Sequence, residues 1–276
     1  MRILACCTVV LAQLFFAAGA QALDESDFDG TEYSFGINEP ENLKMAPRSL
    51  GEERSSYYDF INFEDGNKEK WATYLDTPDR KFKENSLIIR VREDRKKAHK
   101  TKITVKLRAA TPAKFGKLKN YKKAEIDVSA NGTKKYSVSY DIKFDPTEID
   151  VRKVDVEAIF AQIKKKSPDA WNLVKDLYKK HGEEIEQTIV MRALGWEGQL
   201  KGYSGNLEVD YAIWSPYRYS PRRFLAEVSF KGKTGDAGLK KAAAQIKADL
   251  QKKGIYADVA DSKTQATFDM SPNFNK

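Results

Sequence analysis

Leu87-Ile88-Ile89-Arg90-Val91-Arg92, followed after a polar break at 93–102 by Ile103-Thr104-Val105-Lys106-Leu107-Arg108, decides how this chain folds. Successive side chains of a strand point to opposite faces. Leu87, Ile89 and Val91 therefore share one face with Ile103, Val105 and Leu107 across a hairpin, while Arg90, Arg92, Lys106 and Arg108 share the other. Four cations on facing strands repel one another unless something negative lies between them. An open antiparallel sheet would leave them in water. Closure into a barrel makes one face an interior, in one of two orientations. Apolar-in gives a lipid carrier. Charged-in gives a tunnel for an anion, with helices covering the apolar exterior.

Working outward, further segments have strand character. Tyr57 to Phe63 and Trp71 to Leu75 precede the hairpin. Glu125 to Val128 and Tyr136 to Phe144 flank Asn131-Gly132, a strong turn signal. Thr188 to Leu194, Leu207 to Ile213 and Phe224 to Lys231 follow. Short connections between them argue for an antiparallel meander. Helices are expected over Asp155 to Lys166, Pro168 to His181 and Asp236 to Lys253. Ser167 can cap the second, Pro168 suits its first position and Gly182 ends it. In the third, Leu239, Ala243, Ile246 and Leu250 form one apolar stripe. Such stripes need a surface to cover, which favours the charged-in arrangement. The expected fold is α+β: an antiparallel, eight-stranded tunnel or barrel with a charged interior, flanked by about three helices.

The first residues read as a secretory signal peptide. Met1-Arg2 is a short basic opening, Ile3 to Ala18 is apolar, and Ala20-Gln21-Ala22 is a small-x-small cleavage pattern. The expected organisation is signal peptide 1–22, flexible acidic leader 23–55 and tunnel domain 56–276, in a periplasmic or secreted protein with no stable membrane insertion. The only cysteines, Cys6 and Cys7, lie inside the signal, so the remainder has no disulfide or thiolate metal ligand. The chain carries 48 Lys and Arg against 40 Asp and Glu, and much of the surplus falls within 68–123. A basic protein outside the cytosol suits a polyanion or an anionic surface as well as simple solubility. His99 and His181 are not paired into any metal or catalytic pattern. The basic loop 95–102 reads as a solvated turn, so no nucleic-acid partner is expected.

The run Tyr74-Leu75-Asp76-Thr77-Pro78-Asp79, then Ile89-Arg90-Val91-Arg92-Glu93, then Thr104-Val105-Lys106-Leu107-Arg108, resembles the CYTH family, the triphosphate tunnel group. Leu207-Glu208-Val209-Asp210 and Ala226-Glu227-Val228 look like its late acidic strands, and Ser262-Lys263 like its closing element. The likeness is close over 71–110 and looser over 186–265. It implies an antiparallel tunnel that binds triphosphate or polyphosphate and, in active members, hydrolyses or cyclises it with Mg²⁺ or Mn²⁺. Guanidinium groups pair bidentately with phosphate oxygens, and carboxylates hold a hard divalent cation. Carried over by position, Arg90, Arg92, Lys106, Arg108, Arg192, Lys231 and Lys263 would bind substrate. Glu208, Asp210 and Glu227 would hold metal, with Glu208 and Glu227 in the catalytic role. The expected partner is a phosphorylated small molecule or polyphosphate.

One departure separates binding from catalysis. Active members carry Glu-x-Glu-x-Lys on the first strand, and no such triplet precedes Tyr74. The nearest is Glu227-Val228-Ser229-Phe230-Lys231, late in the chain, with serine at the middle position. Two functions stay open: a divalent-metal-dependent triphosphatase, and a non-catalytic periplasmic binding protein for a phosphorylated or other polyanionic ligand.

Overall fold

The computed structural model describes residues 23–39, 51–116, 118–145, 147–203, 207–217, 225–257 and 263–274. The expected signal peptide lies outside them. The strands are β1 (Gly30–Ile37), β2 (Ile61–Phe63), β3 (Lys68–Asp76), β4 (Leu87–Asp94), β5 (Lys102–Ala109), β6 (Lys123–Ser129), β7 (Lys134–Lys143), β8 (Glu186–Gln187), β9 (Met191–Leu200), β10 (Glu208–Pro216), β11 (Leu225–Lys233) and β12 (Tyr256–Ala257). The helices are α1 (Gly51–Tyr57), α2 (Lys81–Glu84), α3 (Val156–Lys166), α4 (Pro168–His181), α5 (Ala237–Lys252) and α6 (Lys263–Asp269).

Nine strands close on themselves in the order β9-β10-β11-β1-β6-β7-β5-β4-β3, with β3 returning to β9. All neighbours are antiparallel except β1 and β6, which run parallel. The barrel is thus mixed and nine-stranded rather than antiparallel and eight-stranded, and six helices are found among the described residues instead of about three. The extra strand is β1, inside the stretch expected to be a flexible leader. Its alternation is genuine: Tyr33, Phe35 and Ile37 join the apolar exterior while Glu32 and Ser34 take the other face. The acidic composition around it hides that pattern. The following α1 likewise begins within 23–55 and runs on to Tyr57.

The apolar rows face outward and are covered. Leu87, Ile89, Val91, Ile103 and Val105 pack under α3 and α4 through Ile159, Phe160, Ile163, Ala170 and Val174. On the far side, α5 lays Leu239, Ala242, Ala243, Ile246 and Leu250 over β1, β10 and β11. Each such buried Val, Leu, Ile or Phe side chain contributes roughly 1.5–3 kcal/mol relative to exposure. Asp155 caps α3 and Ser167 caps α4 by accepting from Ala158 N and Ala170 N. The Asn131-Gly132 turn forms as its sequence predicts, with Gly132 at φ 83°. Strand β9 runs on past the expected Leu194 to Leu200, pairing with β2. Gly198 permits that close approach, because a Cβ there would meet Asn62 O at 2.5 Å.

One end of the barrel is lined by its own C-terminal segment. Phe268 and Phe274 pack on Tyr74 and Ile88, Arg80 donates to Phe274 O at 2.9 Å, and Ile189 N donates to Ser271 Oγ at 3.0 Å. Among the described residues, no helix is long and apolar enough to cross a membrane.

Candidate anion-binding tunnel

Register fixes which side chains share the interior. Ala72 lies opposite Arg92 and Tyr74 opposite Arg90; Thr104 pairs with Arg90, and Lys106 with Ser139. Continuing around the wall, Glu125 pairs with Ser137, Glu32 with Asp127 and Lys231, and Ser34 with Ser229. Asp210 then faces Ser229 and Glu197. The charged rows therefore line the lumen, and β4 and β5 form its basic sector.

Arg90 and Arg92 stand out in that sector. Both are half-buried, the Nε of each is buried without a hydrogen-bond partner, and neither joins an ion pair among the described residues. Burial, reinforced by the neighbouring Arg90 charge, pulls the Arg92 guanidinium down to about 10. Lys70, on the same face of β3, falls to about 8 through burial and repulsion from Arg92 and Lys68. Charges about 7 Å apart, the spacing of alternate strand residues, repel by on the order of 2 kcal/mol at an effective dielectric of ~20. Asp94 and Asp141 act on this corner of the wall, yet burial and like charge outweigh them at Arg92 and Lys70.

The other cations have their own acids. Lys106 Nζ lies 3.5 Å and Arg108 Nη2 2.9 Å from Asp127 Oδ2. Lys102 pairs with Asp141, whose carboxyl is held low because contacts to Lys102 and Thr104 outweigh its burial. Lys263, at the start of α6, reaches Glu227 Oε1 at 2.6 Å. Burial opposes the Lys263 charge, yet Glu227 and Glu32 outweigh it and raise its pKa. Lys231 is exposed on the lumen-facing row beside Glu32. Burial raises the pKa of Glu32 in turn, with Glu227, Asp127 and Glu125 adding to the effect.

Two expected roles are not supported by the geometry. Arg192 lies on the opposite face of β9, where its Nε donates to Glu69 Oε1 at 3.0 Å, so it cannot reach a ligand in the lumen. The reason is parity: Met191, Ala193, Gly195 and Glu197 point inward, and the arginine falls between them. Glu227 does not gather with Glu208 and Asp210 either. Those two instead cluster with Glu197, their ligand oxygens within 4.8 Å of one another. Glu197 lies beyond the strand end expected at Leu194; its parity with Gly195 and Ala193 is the signal that places it inward. Lys68, Lys70 and Glu32 were missed for the same kind of reason, lying just before or outside the segments read as strands.

Three hard oxygen donors suit Mg²⁺ or Mn²⁺ in kind. Their centre, however, is already addressed by an ammonium. Lys68 Nζ is paired with Glu197 and lies 3.4 Å from Asp210 Oδ1 and 4.0 Å from Glu208 Oε1. On β1 the positions two apart read Glu32, Ser34 and Gly36, so the first-strand carboxylate pair of the Glu-x-Glu-x-Lys pattern is absent. As it stands, the donor set does not fit a bound divalent ion.

No protein-family model matches this sequence, and no curated protein matches it. One solved structure shares its fold, and others are similar at lower scores. A putative adenylyl cyclase from Hippeastrum, described as having a dominant triphosphatase activity, is 12% identical with a TM-score of 0.54, covering 89% of this chain and 98% of its own. A putative adenylate cyclase from Bacillus halodurans is 13% identical over 86% of this chain and 96% of its own, with a TM-score of 0.45. A protein from Pyrococcus horikoshii is 10% identical over 86% and 98%, at 0.43.

Proposed function

We propose that this chain, which has the triphosphate-tunnel fold, binds a triphosphate- or polyphosphate-type anion inside its barrel, held directly by Arg90 and Arg92 with Lys70 beside them. The carrying observation is the guanidinium pair itself. Two half-buried arginines adjacent on one face, with buried Nε groups unpartnered and no ion pair among the described residues, cost stability unless an anion resides between them. Their planar donor forks match phosphoryl oxygens. Lys106 and Arg108 extend the basic strip, sharing Asp127 in the free protein. The signal-like residues 1–22 support a site of action outside the cytosol.

Thermal denaturation with tripolyphosphate tests this reading. The wild-type chain is expected to gain several degrees, and Arg90→Ala/Arg92→Ala to gain none. An equal shift in both proteins removes the tunnel arginines from the account. Turnover is the second reading, supported by the fold match to a protein with triphosphatase activity. Phosphate release from tripolyphosphate, measured with and without Mg²⁺ or Mn²⁺, separates hydrolysis from binding alone.

A further inference from the structure

We propose that the acidic side of the tunnel is closed to divalent metal by Lys68, which occupies the Glu197–Glu208–Asp210 cluster, so that the bound anion meets the protein without a bridging cation. The inference rests on the anion reading only for its second half. The lysine half stands on geometry alone.

A divalent ion binding three carboxylates must find them free to turn toward it, with oxygens about 2.0–2.6 Å from the ion. Here one ammonium lies among them, paired with Glu197, while Asp210 and Glu208 stay 44% and 61% exposed. Lys68 pairs with Glu197 and lies 3.4 Å from Asp210 and 4.0 Å from Glu208. The arrangement follows from register: Lys68 is the Cα partner of Gly195, and Gly195 that of Ala212, so two side chains without bulk leave the ammonium room to cross β9 toward Asp210. The Lys68 side chain is 29% exposed and Glu197 28%, which limits solvent competition for the pair.

The same pattern repeats elsewhere on the wall. Glu227 is held by Lys263, and Asp141 by Lys102. A metal entering at any of these carboxylates has to displace a tethered cation and leave it near the new charge. At β1, Ser34 and Gly36 offer a hydroxyl and no side chain in place of further carboxylates. Meanwhile Arg90 and Arg92 join no ion pair among the described residues, and Asp141 acts on them only at longer range. The tunnel thus carries lysine where a metalloenzyme would recruit an ion, and keeps its arginines for the ligand.

Manganese titration of the ligand-free, metal-stripped full chain, followed by the electron paramagnetic resonance of free Mn²⁺, decides the lysine half. The wild type is expected to show no site tighter than about 1 mM, the weak end of protein oxygen-ligand sites. Lys68→Met is expected to create one at least about tenfold tighter, lost again in Lys68→Met/Asp210→Asn. A wild-type site tighter than about 1 mM that Asp210→Asn removes overturns the proposal. So does a folded Lys68→Met that gains no site. The wild-type measurement stands even where Lys68→Met fails to fold, and Lys68→Gln provides a milder substitution. For the second half, tripolyphosphate is titrated calorimetrically in EDTA. Binding there that Arg90→Ala/Arg92→Ala abolishes supports a metal-free site, whereas binding that appears only on adding Mn²⁺ overturns it. Absence of binding under both conditions, with Mn²⁺ remaining free, sinks the anion reading and leaves the lysine assignment standing.

Discussion

Lys263 reaches from the first residue of α6 to Glu227 on β11, with Nζ and Oε1 2.6 Å apart, directly beside Gly36, the register partner of Glu227. A helix near the C-terminus thereby supplies the cation that β1 lacks at that position. Glu227 is 14% exposed and Lys263 29%, so the pair is poorly screened. Removing one member strands the other in the lumen. Lys263→Ala is expected to lower unfolding free energy by about 2 kcal/mol, and adding Glu227→Gln to restore most of it. Urea denaturation of the two variants provides the comparison; equal losses in both would show the two groups to be uncoupled.

The arginine pair carries the opposite expectation. Because burial and Arg90 weaken the charged form of Arg92, that charge opposes folding of the ligand-free chain. Arg92→Met retains the aliphatic stem and removes the charge. It is expected to raise stability by about 1 kcal/mol while abolishing the thermal shift with tripolyphosphate, the usual trade between a functional site and stability. A variant that is less stable than wild type and still responds to the anion contradicts both the strain and the assignment.

Alternation made the interior legible, and its limits mark what stayed hidden. The paired runs at Leu87 to Arg92 and Ile103 to Arg108 announce both faces of β4 and β5, and α3, α4 and α5 are announced by their caps and stripes. Strand β1 was obscured because only part of its run Gly30–Ile37 alternates cleanly, amid acidic neighbours. Its parallel pairing with β6 is a long-range fact that no local pattern encodes. For the site, face assignment depends on parity within a strand. Arg90 and Arg92 sat in a strongly alternating run, whereas Arg192 sat where glycines and alanines blur the alternation. Lys68 is hidden for a further reason besides its place just before the expected strand: its role depends on Gly195 and Ala212 being small on two other strands.

The Asp76-Thr77-Pro78-Asp79 element serves architecture. Asp76 is buried and accepts from Thr77 N and Phe82 N at 2.8 Å and from Lys83 N at 3.0 Å, tying the end of β3 to the start of α2. Thr77 Oγ1 adds an acceptor for Lys81 N at 2.9 Å. An asparagine at 76 can supply one carbonyl oxygen but must turn an amide N–H₂ toward a backbone donor. Asp76→Asn is therefore expected to cost about 1–3 kcal/mol while leaving the anion-dependent shift intact in the folded fraction. Loss of anion response at full stability would instead move Asp76 into the binding site.

Lys70 connects the tunnel to pH. Burial, then Arg92 and Lys68, lower its pKa from 10.5 to about 8, so the free protein begins to release this proton near physiological alkalinity. An anion between Lys70 and the arginines favours the charged form, so binding takes up a proton once the pH exceeds about 8. Affinity should then fall as pH rises through 8, by up to about tenfold per unit. Sulfate is the suitable probe, since its own charge is fixed across that range. Stability of the ligand-free chain runs the other way. Between pH 8 and 10.5 the unfolded chain holds this proton and the folded chain does not, so the Lys70 contribution to unfolding free energy rises with pH across that window. Lys70→Met should flatten both profiles. Sulfate affinity in the wild type that is constant from pH 7 to 9.5 would place Lys70 outside the anion's reach and confine the binding surface to Arg90 and Arg92.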